Sequence, residues 1–417
     1  MKIGFGKGTI SFPAEMFPTE SFCGIHDDPH VRMMIIDDLA AIAVMELVNV
    51  PGYAVEACRK AMHKTFGVPY EQCLVHMTHA ITTPHEPGPM GPPDRRPPLT
   101  EEDMVKRGLF SAAINAAVDE AVEGAKASMT ECTIGVGKGE CYANMNRDVE
   151  TPIGWWTGLG STGPSDREMT VIRANDAQGK PVGMFVSYGI KPCAIDNSEM
   201  EKGTRLVSSE CCGMACNKAE ELYGCPVMFA MSAAGDQIPA KATWYEEVVD
   251  GKVVKHDDGV EYGFKCAEEI ADMMCGSIKS IADGIECTVI EAKTGTASAA
   301  LEGELMDPSG RGPSLTAEYK ANGKTRPLPV DVVRVGSICF VAEQPELNAV
   351  TGMALKDACP GADVVLMSMV NTGFKYLPDI TGYERVTFEA KRAGYMPGTA
   401  EKWVELAAAT VNGLMAE

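Results

Sequence analysis

The stretch LVHMTHAITTPH, residues 74–85, carries three of the seven histidines of this 417-residue chain, at His76, His79 and His85. It starts apolar, as a buried strand does, and it ends in a Thr-Thr-Pro turn. Side chains at the carboxyl end of a strand in an α/β protein line the crevice where ligands bind. Imidazole is the commonest metal ligand and also exchanges protons near neutral pH. The stretch therefore indicates a strand that ends at a functional site, although ordinary surface histidines fit the same pattern.

The overall composition is that of a folded globular protein, with 45% hydrophobic and 23% charged residues. The net charge of −21 argues against nucleic acid and anionic membrane surfaces as partners, because both are negatively charged. No uninterrupted apolar run of about 18 residues occurs, so no membrane span is expected. We therefore expect a small-molecule substrate, and a homo-oligomer is compatible with the sequence.

The fifteen cysteines are an odd number, and the N-terminal sequence MKIGFGKGTISFP has no apolar core of signal-peptide length. These features are typical of a chain that keeps its thiols reduced, which predicts a cytoplasmic location. Cys212, Cys216 and Cys225 lack the paired close spacing of a zinc ribbon, so we expect small buried apolar side chains there.

Predicted strands and helices alternate along most of the chain, without an internal repeat or a low-complexity linker. The predicted strands cover residues 32–48 (two paired strands), 73–77, 132–136, 169–174, 181–189, 227–231, 288–293, 330–342 and 363–369. The predicted helices cover residues 51–66, 100–127, 208–223, 263–283, 348–358 and 400–415. This order predicts an α/β fold of multilayer mixed sheets flanked by helices, in a single domain over residues 1–417. The Asp250-Gly251 pair predicts a hairpin insertion around residues 244–262.

Polar or ionisable residues follow five of the predicted strands. Beside Thr78-His79, the segments are SYGIKPC (187–193), MSAAGDQIP (231–239), VAEQPEL (341–347) and NTGFKYLP (371–378). If these strands share one sheet, their carboxyl ends bring an imidazole, an ammonium, carboxylates and a phenol to one crevice. Such nitrogen and oxygen donors suit zinc.

Each of these polar residues also has a purely structural explanation. Asp236 and Glu346 are both placed where a carboxylate caps a following helix, and Tyr376 could be a core aromatic residue. The alternatives stay open on the residues alone.

Taken in order, segments along nearly the whole chain resemble the catalytic domain of the neutral, non-lysosomal ceramidase family. The similar segments are GIHDDPHVRMMII (24–36), VHMTHAITTP (75–84), NMNRDV (144–149), SYGIKPC (187–193), SSECCG (208–213), AAGDQIP (233–239), QPELNAVTGMALK (344–356), GFKYLP (373–378) and GYE (382–384). The resemblance implies a ceramidase catalytic-domain-like fold and amide hydrolysis. It also implies that the family's C-terminal immunoglobulin-like domain has no counterpart in this chain.

The resemblance further implies a zinc ion held by His79, Glu346 and Tyr376. The chain departs from the family at two positions. Lys191 stands where the family has its second histidine ligand, and Ile81 replaces the second histidine of the Thr-His-Thr-His segment. A protonated ammonium repels Zn²⁺, and lysine keeps its proton unless it is strongly desolvated.

Three interpretations of Lys191 follow. It could bind the metal as a neutral amine in a buried site. Alternatively, His76, His85 or Glu86 completes a shifted metal site. In the third interpretation the metal is lost, and Lys191 acts as a fixed positive charge or as a nucleophilic amine.

The leading prediction is a ceramidase-like hydrolase of a small amide or ester that uses a metal-activated water. Lys191 would stabilise the oxyanion, while Asp236 and Arg147 organise the surroundings or bind a polar substrate group. The alternatives are a metal-free lyase or isomerase that uses Lys191, and a non-catalytic binding protein on a decayed hydrolase scaffold. Trp155 and Trp156 either line a substrate-binding wall or pack a loop.

Overall fold

The computed structural model describes residues 1–89, 96–160, 162–288, 293–307 and 317–417. The helices are α1 (Gly52–Phe66), α2 (Glu101–Ser128), α3 (Glu210–Tyr223), α4 (Val260–Asp283), α5 (Ala349–Ala358), α6 (Ile380–Arg385), α7 (Phe388–Arg392) and α8 (Thr399–Ala416). The strands are β1 (Lys2–Thr9), β2 (Phe22–Ile25), β3 (His30–Ile36), β4 (Ala40–Met45), β5 (Cys73–Met77), β6 (Thr130–Glu131), β7 (Thr133–Glu140), β8 (Asn144–Thr151), β9 (Gly154–Gly160), β10 (Glu168–Asn175), β11 (Pro181–Tyr188), β12 (Arg205–Val207), β13 (Val227–Met231), β14 (Gln237–Pro239), β15 (Trp244–Val249), β16 (Lys252–Asp257), β17 (Thr294–Met306), β18 (Ala321–Val335), β19 (Ile338–Ala342), β20 (Glu346–Leu347), β21 (Asp363–Met367) and β22 (Tyr376–Leu377).

Three mixed sheets carry the fold. Their strand orders are β5-β4-β3-β1-β6, β13-β11-β10-β7 and β17-β18-β19-β21. Each sheet contains one parallel pair at an edge, namely β4 with β5, β11 with β13, and β19 with β21. The predicted α/β class with multilayer mixed sheets is therefore confirmed. The strands that precede the polar segments do not share one sheet, however, because they are distributed over all three.

The inner faces of the three sheets meet in one apolar cluster. Phe5 contributes from the first sheet, Phe185 from the second and Phe340 from the third, and all three side chains are buried. The rings of Phe185 and Phe340 pack edge to face, with their centroids 5.3 Å apart. Helices cover the outer faces, and the fully buried Trp403 of α8 packs against the third sheet. The sheets are thereby held together at one core, which fixes the relative positions of the segments that leave them.

Helix α2 lies directly against the backbone of β1, and glycines make this close approach possible. A Cβ at Gly6 would lie 1.9 Å from the Ala121 carbonyl oxygen, and one at Gly8 would lie 1.9 Å from that of Ala117. Any side chain at these positions would push the helix away from the strand. The helix itself begins at a capping box between Thr100 and Asp103.

Several predicted elements have the predicted bounds. Residues 73–77 and 227–231 are strands β5 and β13. The predicted hairpin is the antiparallel pair β15–β16, but it ends at Asp257, and the last residues of its predicted span begin α4 at Val260. The prediction of one segment over residues 330–342 was wrong. Two strands, β18 and β19, meet there at a turn that contains Gly336, whose φ is 64°. Most of the strand predicted for residues 288–293 falls outside the described residues.

Two features predicted from composition can be compared with the fold. Within the described ranges, no helix combines the length and the apolar character that a membrane span needs. All fifteen cysteines lie in the described part of the chain as free thiols, and Cys212 and Cys216 are buried on α3.

Candidate functional site

A cavity of about 780 Å³ lies where the segments that follow β5 and β11 meet strand β22. Its wall includes His79, Lys191, Tyr376 and Arg147, which come from four separate parts of the sequence. Strand β22 pairs in parallel with β20, so Tyr376 lies directly beside Glu346. The structure therefore brings together the imidazole, the ammonium, the carboxylate and the phenol that the sequence analysis singled out.

Glu346 lies between His79 and Lys191. His79 Nδ1 is 2.8 Å from Glu346 Oε1, and Lys191 Nζ is 2.6 Å from Glu346 Oε2. These are ion-pair distances, although the angles at His79 Nδ1 and Glu346 Oε2 are not those of hydrogen bonds. Lys191 Nζ also donates a hydrogen bond of 2.9 Å to the Tyr376 hydroxyl. Lys191 and Glu346 are each only 2% exposed, so their attraction is screened little by water.

The charges of this cluster follow from burial and from the three neighbours. Burial favours the neutral form of Glu346, but His79 and Lys191 outweigh it and lower the pKa of the carboxyl to about 2. Burial also disfavours the ammonium, but Glu346 and Tyr376 outweigh it and raise the pKa of Lys191. Burial lowers the pKa of His79 against the opposing effect of Glu346. At neutral pH the cluster is thus a carboxylate, an ammonium and a neutral imidazole, and the ammonium is the cation that keeps Glu346 ionised.

The backbone around His79 fixes its position. His79 has a φ of 61°, in the left-handed region that non-glycine residues seldom adopt, and its N–H donates to the Leu47 carbonyl. Two residues later, the Ile81 N–H donates to the Pro192 carbonyl oxygen at 3.1 Å. This bond joins the segment after β5 to the segment after β11 that carries Lys191. Strained backbone held by surrounding bonds is common at functional sites.

Arg147 extends the positive charge of the cavity wall. Its Nε donates a 2.8 Å hydrogen bond to Glu389, a fully buried carboxylate. The guanidinium carbon lies 4.7 Å from the centre of the Phe388 ring and 5.5 Å from that of Tyr376. Burial disfavours its charge, but Glu389 and Tyr376 outweigh burial and raise the pKa of Arg147. It is therefore a permanent cation beside the phenol.

Asp236 lies apart from the large cavity. Its Oδ1 accepts a 2.8 Å bond from the Ala349 N–H at the start of α5, and its Oδ2 accepts a 2.9 Å bond from Asn146. It lines a separate cavity of about 310 Å³, which shares Trp155 with the larger one. Burial raises the pKa of Asp236 to about 6. The observed contacts are those of a helix-capping carboxylate.

The three residues proposed to complete a shifted metal site lie in different surroundings. His76 is fully buried, where its Nδ1 contacts the Ser368 carbonyl and its Nε2 accepts from the Met231 N–H. Both ring nitrogens are therefore used by the backbone. His85 lines the cavity but pairs with Glu20 at 3.1 Å. Glu86 pairs with an arginine of α2 at 3.4 Å and is not part of the cavity wall.

The donors implied by the resemblance do not fit a zinc ion as they are arranged. Among the described residues, no group of three or more His, Cys, Asp or Glu side chains is placed to hold a metal. The Lys191 ammonium contacts both Glu346 and Tyr376, two of the three implied ligands. Its raised pKa keeps it protonated, and a cation in that position repels a second one.

Other parts of the cavity wall are aromatic, and the sequence analysis missed most of these residues. Trp155 and Trp156 do line the cavity, together with Trp244 and Tyr245 of β15 and Phe388 of α7. The Trp156 Nε1–H donates a 2.7 Å bond to Glu246, which fastens β9 to β15. The β15–β16 hairpin is therefore a wall of the cavity. The adjacent Trp and Tyr at the start of the hairpin were the available signal.

Two solved ceramidases share this architecture along the full length of the chain. The neutral ceramidase from Pseudomonas aeruginosa matches with a TM-score of 0.71 at 16% identity, over 100% of this chain and 74% of that one. A ceramidase complexed with C2 matches with a TM-score of 0.72 at 15% identity, over 100% and 75% of the two chains.

The fold is that of the neutral ceramidases. The resemblance predicted from the ordered motifs is thus confirmed for the fold. A scan of the sequence against protein-family models found no match, and neither did a search of curated proteins. At 15–16% identity the similarity establishes architecture alone, so the chemistry of this chain depends on its own side chains.

Proposed function

We propose that the protein is a hydrolase of small amides or esters in which the Lys191 ammonium takes the place of a metal ion. The observation that carries this proposal is the position of Lys191. Its Nζ lies between Glu346 and Tyr376, at the wall of a large cavity and beside a neutral imidazole. The ceramidase fold supports hydrolysis as the class of reaction.

His79 is the proposed general base. The Glu346 carboxylate, 2.8 Å from Nδ1, favours the tautomer that carries its proton on Nδ1, and this tautomer leaves Nε2 as a proton acceptor. A water held in the cavity gives its proton to this nitrogen as its oxygen forms a bond to the substrate carbonyl carbon. The resulting imidazolium is stabilised by Glu346. When the carbon–nitrogen or carbon–oxygen bond breaks, the leaving group takes the proton from His79 and the imidazole is neutral again.

Lys191, Arg147 and Tyr376 are the proposed oxyanion partners. The ammonium and the guanidinium both line the cavity as permanent cations, and both favour negative charge on the carbonyl oxygen. The Tyr376 hydroxyl accepts from Lys191, so its own proton is available for donation to the substrate. These groups are fixed by Glu346 and Glu389 before the substrate arrives, which limits the reorganisation that the reaction requires.

The raised pKa of Lys191 argues against the nucleophilic amine of the alternative lyase or isomerase. A Schiff base requires the neutral amine, and burial next to Glu346 favours the ammonium instead. The binding-protein alternative differs from the hydrolase only in turnover, so one assay separates them.

The test is hydrolysis of a panel of short-chain p-nitrophenyl esters and p-nitroanilides by the purified protein in the presence of a chelator. We expect turnover by the wild type and a fall of about 10²–10⁴-fold in His79→Gln. His85→Gln is the matched control, because His85 also pairs with a glutamate at the cavity wall, but its partner is Glu20 and not the glutamate that binds Lys191. Tight binding without turnover would support the binding protein, and turnover unaffected by His79→Gln would refute the mechanism.

A further inference from the structure

Arg205, in β12, is a buried guanidinium at the wall of the large cavity. The residue is only 3% exposed and is part of the cavity lining. Its Nη2 donates to the carbonyl oxygens of Ile81 and Asp196, each at 2.8 Å, and its charge lies 4.3 Å from the centre of the Phe22 ring. Its Nη1 is 3.5 Å from Ser21 Oγ, and its Nε has no hydrogen-bond partner in the described part of the chain. Every direct contact is therefore with a neutral group.

The two other buried cations of the cavity differ from Arg205 in this respect. Arg147 has Glu389 at 2.8 Å, and Lys191 has Glu346 at 2.6 Å. Arg205 forms no ion pair with any carboxylate of the described residues. A buried charge without a partner is costly, so a cation kept in this state at a cavity wall indicates that its counter-charge comes from outside the chain.

Two acidic groups attract the charge of Arg205 without forming an ion pair with it in the described part of the chain. Asp196 and Glu20 attract its charge, but burial disfavours the cation more strongly and lowers the pKa of Arg205. Burial raises the pKa of Asp196 itself to about 6, and Asp196 contacts the Arg205 guanidinium through its backbone carbonyl oxygen. Glu20 Oε1 accepts from the His85 N–H and lies 3.1 Å from its imidazole.

Hydrogen bonds through the backbone connect Arg205 to the segments that carry the reactive groups. Ile81, whose carbonyl accepts from Arg205, follows His79 by two residues, and its N–H donates to Pro192, which follows Lys191. An anion at Arg205 therefore belongs to the same cavity wall as the proposed base and ammonium.

We infer that Arg205 binds a carboxylate of the substrate, so that the enzyme acts on amides or esters that carry a negative charge. The choice of scissile bond rests on the proposed function, whereas the anion site rests on Arg205 alone. The aromatic walls of the same cavity suit an acyl or aryl group on the rest of the molecule.

Calorimetric titration with matched probes tests the inference without requiring turnover. Hippurate carries a benzoyl amide and a carboxylate, and hippuramide is its neutral counterpart. We expect the wild type to bind hippurate at least about tenfold more tightly than hippuramide, because hydrogen bonds to charged groups are the stronger ones. Arg205→Gln should abolish this preference. Phenyl phosphate is the third probe, and binding tighter than that of hippurate would overturn the assignment to a carboxylate.

Arg59→Gln is the matched control. Arg59 donates to the carbonyl oxygens of Cys73 and Tyr70, each at 2.8 Å, and lies 4.1 Å from the Tyr70 ring centre, but it does not line the cavity. It therefore reproduces the contacts of Arg205 without the anion site, and the preference for hippurate should remain.

Equal affinity of the wild type for hippurate and hippuramide would overturn the inference, as would a preference that survives Arg205→Gln. If that variant does not fold, a crystal of the wild type with hippurate decides the question. A carboxylate at the Arg205 guanidinium supports the inference, and one bound elsewhere overturns it. Loss of hydrolysis with intact discrimination of the probes would count against the proposed function and leave the anion site standing.

Discussion

Among the described residues, a glutamate lies between a histidine and a lysine or arginine in two buried triads. The core triad consists of His30, Glu46 and Arg32. His30 Nδ1 lies 3.0 Å from Glu46 Oε2, and the Arg32 Nε donates to Glu46 Oε1 at 2.8 Å. Burial raises the pKa of Glu46, but its two partners outweigh burial and lower it to about 2. The site triad of His79, Glu346 and Lys191 has the same order of charges and the same low carboxyl pKa.

The two triads differ in what surrounds them. In the core triad, the Arg32 guanidinium also donates to the Val227 carbonyl, to Asn217 and to Glu220, and Arg32 is not in the wall of either cavity described above. In the site triad the ammonium faces a cavity of about 780 Å³. A buried His–Glu–cation triad therefore has a structural role where other protein groups accept the hydrogen bonds of its cation. It becomes a candidate for chemistry where a cavity leaves room for a substrate.

The largest expected effect is on stability in the core triad. Arg32→Met leaves the Glu46 carboxylate buried without its cation and should lower the free energy of unfolding by about 3–5 kcal/mol. Lys191→Met should cost less, about 1–3 kcal/mol, because Arg32 also bonds to Asn217, Glu220 and the Val227 carbonyl, and those bonds are lost with it. Urea denaturation of both variants measures the two losses. Equal losses would remove the distinction between a closed triad and an open one.

The second effect is on turnover in the site triad. Lys191→Met should lower kcat/KM by about 10²–10³-fold, because it removes a fixed positive charge from the developing oxyanion. Lys356→Met is the matched control, since Lys356 pairs with Asp166 at 2.7 Å away from the large cavity. Steady-state kinetics on the best ester of the panel measures both. Retained activity in Lys191→Met would show that Lys191 does not stabilise the oxyanion.

The third effect is the pH dependence of stability, in which the triads should behave alike. A carboxyl whose pKa falls from 4.5 to about 2 on folding contributes stability above pH 4.5 that is lost as the pH falls towards 2. The contribution is about 3 kcal/mol for each glutamate. Glu46→Gln and Glu346→Gln should each flatten the dependence of unfolding free energy on pH over this interval. If only one variant does so, the two glutamates do not contribute equally to the pH dependence of the unfolding free energy.

Much of the fold could be predicted from local sequence. Strands β5 and β13 are short apolar runs bounded by polar or turn residues, so their spans follow from pattern alone. The roles of the two histidines of the first motif could not be predicted in the same way. His76 is fixed by backbone groups of Met231 and Ser368, whereas His79 reaches the cavity. Tertiary packing decides between them, because the strand is buried on both faces.

The site could be predicted only as a set of residues, not as an arrangement. The departure at Lys191 was visible in the sequence, but its contact with Glu346 and Tyr376 depends on how two sheets pack together. Asp236 belongs to the same series of motifs, yet its carboxylate bonds to the start of α5. Arg205 was not singled out, because a lone arginine at the start of a short strand carries no pattern.

The most direct test of the account is the turnover of wild-type protein after chelation, compared with the same protein after addition of zinc. The account predicts rates that agree within about twofold, because the Lys191 ammonium holds the position that a metal would need. Activity that disappears on chelation and returns with one equivalent of bound zinc would contradict it.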